Sequence, residues 1–251
     1  FLPKKIEEGR VEDIRECIGC NICITGDMTM SISRCTQNPT FMEEWRKGWH
    51  PERIAPAGSD GAVLVVGAGS SGAQIADELL RAGRPVYLSV GPHERPPRSY
   101  RGRDFCWWLG VLGKWDMVTP PEGSEHVTIA VSGARGGSTV DFREFATRGM
   151  TLVGRTERFE DGLLSFAPDV AVNVANGDAS LMALLDEADA HVAAYGIDLP
   201  DDPAAREIGA DPDCLRDPIL ALDLAEAGIT TIIWATGYVS DYSWLPAGAL
   251  D

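Results

Sequence analysis

A glycine-rich turn between a short apolar strand and a helix constrains the fold of this 251-residue chain more than any other feature. The run Ala62–Val66 (AVLVV) is continuously apolar, which is typical of a parallel strand buried on both faces. The turn Gly67–Gly72 (GAGSSG) follows, and Ala73–Ala82 (AQIADELLRA) predicts a helix that ends at Gly83. Val86–Val90 (VYLSV) predicts the next strand. This order predicts a β-α-β unit with two parallel strands.

The turn has the G-x-G-x-x-G spacing of a dinucleotide-binding loop. In such loops the first glycine permits a tight turn, the second lets the backbone approach a pyrophosphate, and the third lets the helix pack close to the strand. The N-terminal end of the helix offers N–H donors and a positive dipole end, and two serines add hydroxyl groups. A purely structural glycine turn is the alternative. The predicted pyrophosphate contacts are Gly67, Ala68, Gly69, Ser70, Ser71 and Gly72.

The end of the second predicted strand favours NADP(H) over NAD(H). An NAD site usually has an acidic residue about 20 residues further along the chain, where it binds the ribose 2′-hydroxyl. Ser89 lies near that position and is not acidic, so we assign it to the cofactor site without the acid's role. Arg95, Arg98 and Arg101 follow, and a guanidinium group suits the 2′-phosphate of NADP. Solvated arginines on a surface loop are the alternative.

Four cysteines near the N-terminus have the spacing C-x2-C-x2-C-x11-C: Cys17, Cys20, Cys23 and Cys35. Three closely spaced thiols and a distant fourth suit an iron–sulfur cluster. A structural zinc site is the alternative, although zinc sites usually show two separated C-x2-C pairs. The crowding of the thiols, and the apparent cytosolic setting, disfavour disulfides.

Composition and charge limit the partners and the location. The formal net charge of -16 repels polyanions, so we expect no nucleic-acid partner. No segment approaches the roughly 18–20 uncharged apolar residues of a membrane span, and no signal peptide is recognisable, so we expect a cytoplasmic protein without a membrane partner. The chain begins with Phe1 instead of methionine, which suggests a fragment.

The sequence predicts an α/β protein in three zones. Residues 1–54 form a small irregular iron–sulfur segment with a short helix near Pro3–Ile14, and residues 55–60 (APAGSD) form a linker. Residues 61–251 form a Rossmann-like parallel sheet with helices on both faces. Its further predicted elements are the strand Met150–Gly154, the helix Ala179–Tyr195 and the strand Thr230–Ala235.

Residues 1–53 contain three specific motifs: CIGCNIC (Cys17–Cys23), CTQNP (Cys35–Pro39) and RKGWHPER (Arg46–Arg53). They closely resemble motifs of the trimethylamine and dimethylamine dehydrogenases, which belong to the larger class that also holds the dienoyl-CoA reductases. The resemblance implies that the four cysteines bind a [4Fe-4S] cluster. It also implies that the cluster takes electrons from an FMN held in a barrel that would precede Phe1.

Residues 61–250 contain a different set of motifs: VLVVGAGSSGAQIADEL (Val63–Leu79), YLSVG (Tyr87–Gly91), YRGRDFCWWL (Tyr100–Leu109) and IIWATGYVSDYSWL (Ile232–Leu245). They resemble the NADPH domain of flavin-containing monooxygenase-like oxidoreductases. By that resemblance the glycine loop and the arginines after the second strand bind NADPH. The resemblance also implies that Thr236 and Gly237 contact a cofactor and that residues 230–251 are a remnant of an FAD domain. The family's FAD-binding glycine fingerprint and its F-x-G-x3-H signature are absent, so we expect no complete FAD or FMN site in this chain.

The sequence therefore predicts a hybrid or fragment of a flavoprotein oxidoreductase. It joins a [4Fe-4S] electron-transfer segment to an NADP(H)-binding domain, and its expected partners are a nicotinamide dinucleotide and a flavin domain or an electron-transfer protein. One alternative is an NADPH-domain fragment of a flavin-dependent monooxygenase. The other is a non-catalytic, zinc-stapled nucleotide-binding module. No arrangement of side chains predicts a catalytic residue.

Overall fold

The computed structural model describes residues 2–14, 22–28, 33–35, 41, 59–117 and 128–237. Contacts divide the chain into two compact units, one of residues 1–60 and 132–138 and the other of residues 61–131 and 139–251. Only residues 59–60 of the predicted linker are described, so the linker stays a prediction. No helix in these ranges is long and apolar enough to cross a membrane.

The described α-helices are α1 (Leu2–Glu7), α2 (Ile22–Met28), α3 (Ser70–Arg81), α4 (Phe105–Val111), α5 (Phe142–Thr147), α6 (Val170–Tyr195) and α7 (Asp213–Arg216). The described strands are β1 (Ala62–Val66), β2 (Val86–Ser89), β3 (Ser99–Tyr100), β4 (Arg103–Asp104), β5 (Val131–Ser132), β6 (Ser138–Thr139), β7 (Thr151–Val153), β8 (Thr156–Glu160), β9 (Leu163–Phe166), β10 (Ala221–Asp223) and β11 (Ile229–Trp234). Short 3-10 turns lie at Val11–Asp13, Lys114–Asp116, Ala134–Gly136 and Pro203–Arg206.

Four strands form a parallel sheet in the order β11-β1-β2-β7. Numbered along the chain within this sheet, the order is fourth, first, second, third. All residues of β1 are buried, as expected for a strand that has a neighbour on each side and a layer on each face. The register sets Val66 beside both Ser89 and Trp234, so the carboxyl ends of β1, β2 and β11 meet at one edge of the sheet.

Helices cover one face of the parallel sheet. Val63 and Val65 of β1 belong to a core cluster that also contains Ala73 and Ala76 of α3, together with residues of α5 and α6. Since Ala73 and Ala76 are three residues apart, they lie on the same side of the helix and give the strands a flat apolar surface. This face has the helical layer that the sequence predicted.

Strands cover the opposite face. Leu64 and Val66 of β1 pack in a second cluster with Leu164 and Phe166 of β9. The strands β10, β9 and β8 form an antiparallel sheet in that order. The sequence predicted helices on both faces, whereas the described core of this second face contains strand and loop residues only. This antiparallel sheet was not predicted because its strands are short and β8 is largely exposed, so β8 has no buried apolar run.

Several other boundaries differ from the predicted ones. The structure begins α3 at Ser70, three residues before the predicted start at Ala73, because the glycine turn itself forms the first helical turn. The helix α6 begins at Val170, whereas the sequence predicted a start at Ala179. The predicted helix over Pro3–Ile14 is present as α1 followed by a 3-10 turn. The helix α4 lies in a region for which no helix or strand was predicted.

Candidate functional site

Two glycines allow α3 to begin close against the end of β1. Gly67 has a left-handed backbone with φ of +105°, and a Cβ atom on it would lie 2.5 Å from the carbonyl oxygen of Ala235. A Cβ atom on Gly72 would lie 1.8 Å from the carbonyl oxygen of Gly67. Real Cβ atoms do not approach backbone oxygens so closely. Gly67 and Gly72 therefore serve the tight turn and the close packing of the helix.

Gly69 has a different environment. It is the N-cap residue of α3, with extended backbone angles of φ -71° and ψ -177° that other residues also adopt. A Cβ atom here would lie 3.2 Å from the Cγ2 atom of Thr128, so a methyl group meets a side chain and not the backbone. Its bare Cα therefore lies close to the Thr128 side chain, beside the N-terminal end of the helix. No side chain caps that end, and the N–H groups of Ser71 and Gly72 have no preceding turn to bind.

A short segment, Thr128–Val131, crosses the first turn of α3. The backbone N–H of Ser70 donates to the carbonyl oxygen of Ile129 at 2.7 Å, and the Ser70 hydroxyl donates to the same oxygen at 2.8 Å. Glu94 fixes this segment from the other side, since its N–H donates to Thr128 and its carbonyl accepts from Ala130. One of the helix-end donors, the N–H of Ser70, is thus already used within the protein.

A cavity of about 330 Å³ lies at the same edge of the parallel sheet. Its walls come from the carboxyl ends of the parallel strands and from the first residues of the antiparallel sheet. The lining residues are Val66, Gly67, Ser89, Gly91, Arg155, Thr156, Glu157, Arg158, Phe159, Leu164, Trp234 and Thr236. In open parallel sheets, ligands bind beyond the carboxyl ends of the strands, next to the point where the strand order reverses. Here that point lies between β1 and β11.

The structure brings several predicted site residues to this edge. Gly67, Ser89 and Thr236 line the cavity, and Gly237, next in the chain, has φ of +81°. The Ser89 side chain is buried and its hydroxyl is already bonded: it donates to the carbonyl of Gly154 at 2.9 Å and accepts from the N–H of Thr156 at 3.1 Å. Ser89 therefore joins the ends of β2 and β7. Ala68 is buried beneath the turn.

The three predicted arginines have partners within the chain. Arg95 is only 3% exposed, and its guanidinium binds the carboxylate of Asp178 at 2.8 Å. Arg98 pairs with Asp104 at 3.0 Å. Arg101 binds Asp189 at 2.6 Å and Asp201 at 3.0 Å, and none of the three arginines lines the cavity at the sheet edge.

A different arginine lies on the cavity wall. Arg155 lies two residues beyond the end of β7, is exposed, and makes no side-chain ion pair with any residue that the structure describes. Sequence reasoning missed it, although it follows a predicted strand at the position where site residues of parallel sheets occur. Arg158 also lines the cavity but pairs with Glu160 at 2.6 Å.

His93 supports the segment that carries Glu94. The imidazole is buried, its Nδ1 atom lies 2.9 Å from the carbonyl oxygen of Gly91, and its ring packs edge-on against Phe142. Burial lowers the pKa of His93 below its ordinary value, although the bond to Gly91 opposes this shift. A neutral imidazole whose ring is enclosed in this way acts in packing. A Cβ atom on Gly177 would lie 2.4 Å from Nε2, so the ring needs a glycine in α6.

Two of the four predicted cluster ligands lie within the described residues. Cys23 lies in α2 and Cys35 lies in the short segment 33–35, and each is half-buried and in the free thiol form. The Ser33 hydroxyl donates to the carbonyl of Cys23 at 3.1 Å, which holds this segment beside α2. Cys17 and Cys20 lie outside the described residues. Within the described ranges alone, no three potential metal ligands form a cluster.

Comparison with known proteins shows that the chain resembles oxidoreductases. No protein-family model matches it. It is 53% identical to dimethylamine dehydrogenase of Hyphomicrobium sp. (strain x) over 89 residues, which are 35% of this chain and 12% of that enzyme. It is 42% identical to NADH oxidase of Thermoanaerobacter brockii over 88 residues, 34% of this chain and 13% of that protein.

A longer match joins the chain to a second kind of relative. The chain is 27% identical to an uncharacterised CzcO-like oxidoreductase of Geobacillus kaustophilus (strain HTA426) over 188 residues, 74% of this chain and 37% of that protein. A span of 74% must include the turn Gly67–Gly72 wherever it begins. Among solved structures, histamine dehydrogenase from Rhizobium sp. 4-9 matches at 43% identity over 64% of this chain and 25% of that one, with a TM-score of 0.28.

The curated relatives bear out the predicted hybrid resemblance, to dimethylamine dehydrogenase on one side and to a CzcO-like oxidoreductase on the other. The chain spans between 12% and 37% of the three curated relatives described above. That partial coverage agrees with the prediction of an oxidoreductase that is incomplete by itself.

Proposed function

We propose that this chain is the nicotinamide-binding and iron–sulfur part of a flavoprotein oxidoreductase. Its second unit would bind NADP(H) through a Rossmann-like fold, and its first unit would hold a [4Fe-4S] cluster. When bound, the nicotinamide transfers hydride and the cluster carries single electrons. The residues of the chain contribute binding and orientation, while the chemistry belongs to the cofactors.

The geometry of the glycine turn is the observation that carries the nicotinamide-binding proposal. Gly67 and Gly72 are required by close backbone contacts, whereas Gly69 has a backbone that alanine could adopt. Backbone contacts explain the first two glycines, whereas a Cβ atom on Gly69 would meet only the Thr128 side chain, at 3.2 Å, and that side chain need shift by only a few tenths of an ångström. A phosphate group that approaches the bare Cα of Gly69, beside the N–H groups of Ser71 and Gly72, supplies a reason for a glycine at this position.

The strand order supports the same proposal. Numbered along the chain, the four strands lie in the order 3-2-1-4, which matches the first four positions of the classic dinucleotide-binding order 3-2-1-4-5-6. The turn Gly67–Gly72 leaves the first strand of that order, and Thr236 and Gly237 follow the fourth. The pyrophosphate would therefore lie between these two segments, and the adenosine would extend towards the end of β2.

The test is a calorimetric titration of the full chain with NADPH and with NADH. We expect binding in the range of about 1 μM to 1 mM that is usual for enzyme substrates. We expect Gly69→Ala to weaken binding at least about tenfold, since the new methyl group would occupy the space beside the phosphate. Its loss of stability should stay within about 1 kcal/mol, because alanine tolerates this backbone, an N-cap preference is lost, and the Thr128 side chain, 3.2 Å from the new atom, need shift by only a few tenths of an ångström.

Gly110→Ala is the matched control, because it places the same methyl group in α4, where it makes only ordinary contacts with Trp115. It should leave coenzyme affinity unchanged. Failure of both coenzymes to bind the wild-type chain would refute the proposal.

The described cysteines fit a cluster site. Cys23 and Cys35 are reduced, half-buried, and belong to segments that a hydrogen bond joins at Cys23 itself. Partial burial suits thiolates that hold a cluster away from bulk water. With Cys17 and Cys20, six and three residues before Cys23 in the sequence, they would supply the four sulfur ligands.

Anaerobic reconstitution with iron and sulfide tests this ligand set. We expect a brown protein with about four irons and four sulfides per chain. The Cys35→Ser variant should lose most of both. Cys106→Ser is the control, because Cys106 is an exposed cysteine of the second unit, and its iron content should match the wild type. One equivalent of zinc with no iron would instead select the structural zinc site.

A flavin would have to connect the two sites, because a hydride carries two electrons and an iron–sulfur cluster accepts one at a time. We propose that a flavin-binding domain or an electron-transfer protein supplies it. This partner would have to approach the end of the parallel sheet where the nicotinamide is expected.

The second candidate function is the NADPH domain of a flavin-dependent monooxygenase. The match over 74% of the chain to a CzcO-like oxidoreductase favours it, since that match must cover the glycine turn. The iron analysis separates the two candidates, because the NADPH domain of a monooxygenase would not bind an iron–sulfur cluster and should contain no iron after reconstitution.

A further inference from the structure

We infer that Arg155, at the end of the third parallel strand, binds the 2′-phosphate of NADP(H) and makes the site selective for it. This inference rests on the proposed nicotinamide-binding function. It gives the selectivity to a residue outside the arginine-rich segment that follows β2.

The 2′ position of the adenosine ribose would lie at the end of the second strand of the sheet. In dinucleotide-binding folds the residue that contacts it stands at the end of the second strand. Here that strand ends at Ser89, whose hydroxyl donates to the carbonyl of Gly154 and accepts from the N–H of Thr156. These two bonds hold the backbone on both sides of Arg155 directly against the end of β2. Arg155 therefore lies beside the end of β2, where the adenosine ribose would bind.

The guanidinium group of Arg155 supplies a positive charge at this position. Arg155 is exposed on the cavity wall, and its side chain has no ion-pair partner among the described residues. Asp169, the N-cap residue of α6, accepts a hydrogen bond from the backbone N–H of Arg155 at 2.9 Å. The backbone is thus fixed while the guanidinium stays available. A guanidinium can bind a phosphate through two parallel charge-assisted hydrogen bonds.

The arginines that follow β2 already pair with carboxylates of this chain. Asp178 holds the guanidinium of Arg95 in the core, and a phosphate could reach it only by breaking that buried pair. Arg98 and Arg101 are paired with carboxylates and do not line the cavity.

One acidic residue opposes the phosphate. Glu157 lies on the same wall and would suit the 2′-hydroxyl of NADH. We favour Arg155 because the bonds of Ser89 are to the residues immediately before and after it, whereas Glu157 is one position further away. If Glu157 decided the selectivity, the wild-type chain would prefer NADH.

The experiment measures the dissociation constants of NADPH and NADH for the full chain and for Arg155→Ala. We expect the wild type to prefer NADPH. We expect Arg155→Ala to weaken NADPH binding about 10- to 100-fold, the loss typical of charge-assisted hydrogen bonds, and to change NADH binding less than about twofold. Arg155 is exposed, so the variant should fold, and its melting temperature checks this. Arg216→Ala, which removes an exposed arginine that pairs with Asp213, is the matched control and should keep the preference.

The outcomes separate this inference from the proposed function. A wild type that binds both coenzymes equally, or prefers NADH, overturns the inference and leaves nicotinamide binding intact. A preference that survives in Arg155→Ala, or that disappears in Arg98→Ala instead, also overturns it. If neither coenzyme binds the wild type, the proposed function fails and the inference fails with it.

Discussion

The Gly72→Ala variant should lose about 2–4 kcal/mol of its free energy of unfolding, more than overpacking usually costs, because the new atom would strike backbone. The added Cβ atom would lie 1.8 Å from the carbonyl oxygen of Gly67 and 3.3 Å from the Cβ of Ala235. The turn cannot easily give way, because Gly67 itself packs closely on Ala235: a Cβ atom on Gly67 would lie 2.5 Å from the Ala235 carbonyl oxygen. The helix α3 would have to move away from β1.

Helix propensity predicts the opposite sign for this substitution. Alanine is about 1 kcal/mol better than glycine within a helix, so Gly72→Ala would stabilise α3 if only local preference mattered. Gly110→Ala in α4 isolates that term, because its new methyl group makes no close contact, and it should be neutral or slightly stabilising. Urea unfolding of both variants gives the comparison. If Gly72→Ala were as stable as Gly110→Ala, the tight packing of the turn against the helix would be refuted.

The Asp178→Asn variant should lose about 3 kcal/mol or more of stability, because it removes the charge that two buried arginines share. Asp178 is 8% exposed, and its carboxylate binds Arg95 through one oxygen and Arg143 through the other. Arg143 keeps a second carboxylate partner in Asp211 at 2.8 Å, whereas Arg95 would keep the neutral carbonyl of Val140 at 2.9 Å and, as its carboxylate, the more distant Asp141 at 3.9 Å. Most of the loss therefore comes from Arg95.

This buried network also supports the candidate site. Arg95 follows Glu94, whose backbone bonds hold the segment Thr128–Val131 over the first turn of α3. We therefore expect Asp178→Asn to weaken coenzyme binding as well as stability. Asp213→Ala is the control, because it removes an exposed carboxylate paired with Arg216 and should change stability by less than about 0.5 kcal/mol. Equal stability of the two variants in urea would contradict the structural role given to Asp178.

The elements that sequence predicted well are those decided by local pattern. The strand β1 has its predicted bounds, Ala62–Val66, because five apolar residues before a glycine turn admit few other structures. The helix α3 and the strand β2 begin or end within a few residues of prediction, since the glycine spacing and Gly83 mark their limits. These elements form the half of the candidate site that comes from continuous sequence.

The other half depends on contacts between distant parts of the chain. The burial of Arg95 is decided by Asp178, 83 residues further on, and nothing near Arg95 in the sequence distinguishes it from a solvated arginine. Arg155 gains its position only because β7 pairs with β2, which no local pattern specifies. The segment Thr128–Val131 contacts the glycine turn through bonds from Ser70 to Ile129 and is held on its other side by backbone bonds to Glu94, and no local strand pattern predicts either contact.

The backbone amides of the glycine turn give the most direct test of the central claim that this turn binds a nicotinamide dinucleotide. In nitrogen-15 labelled protein titrated with NADPH, we predict the largest shift changes at Gly69, Ser71 and Gly72, with smaller ones at Thr236 and Gly237. If NADPH binds while these amides stay unchanged, or if no amide responds to either coenzyme, the claim is contradicted.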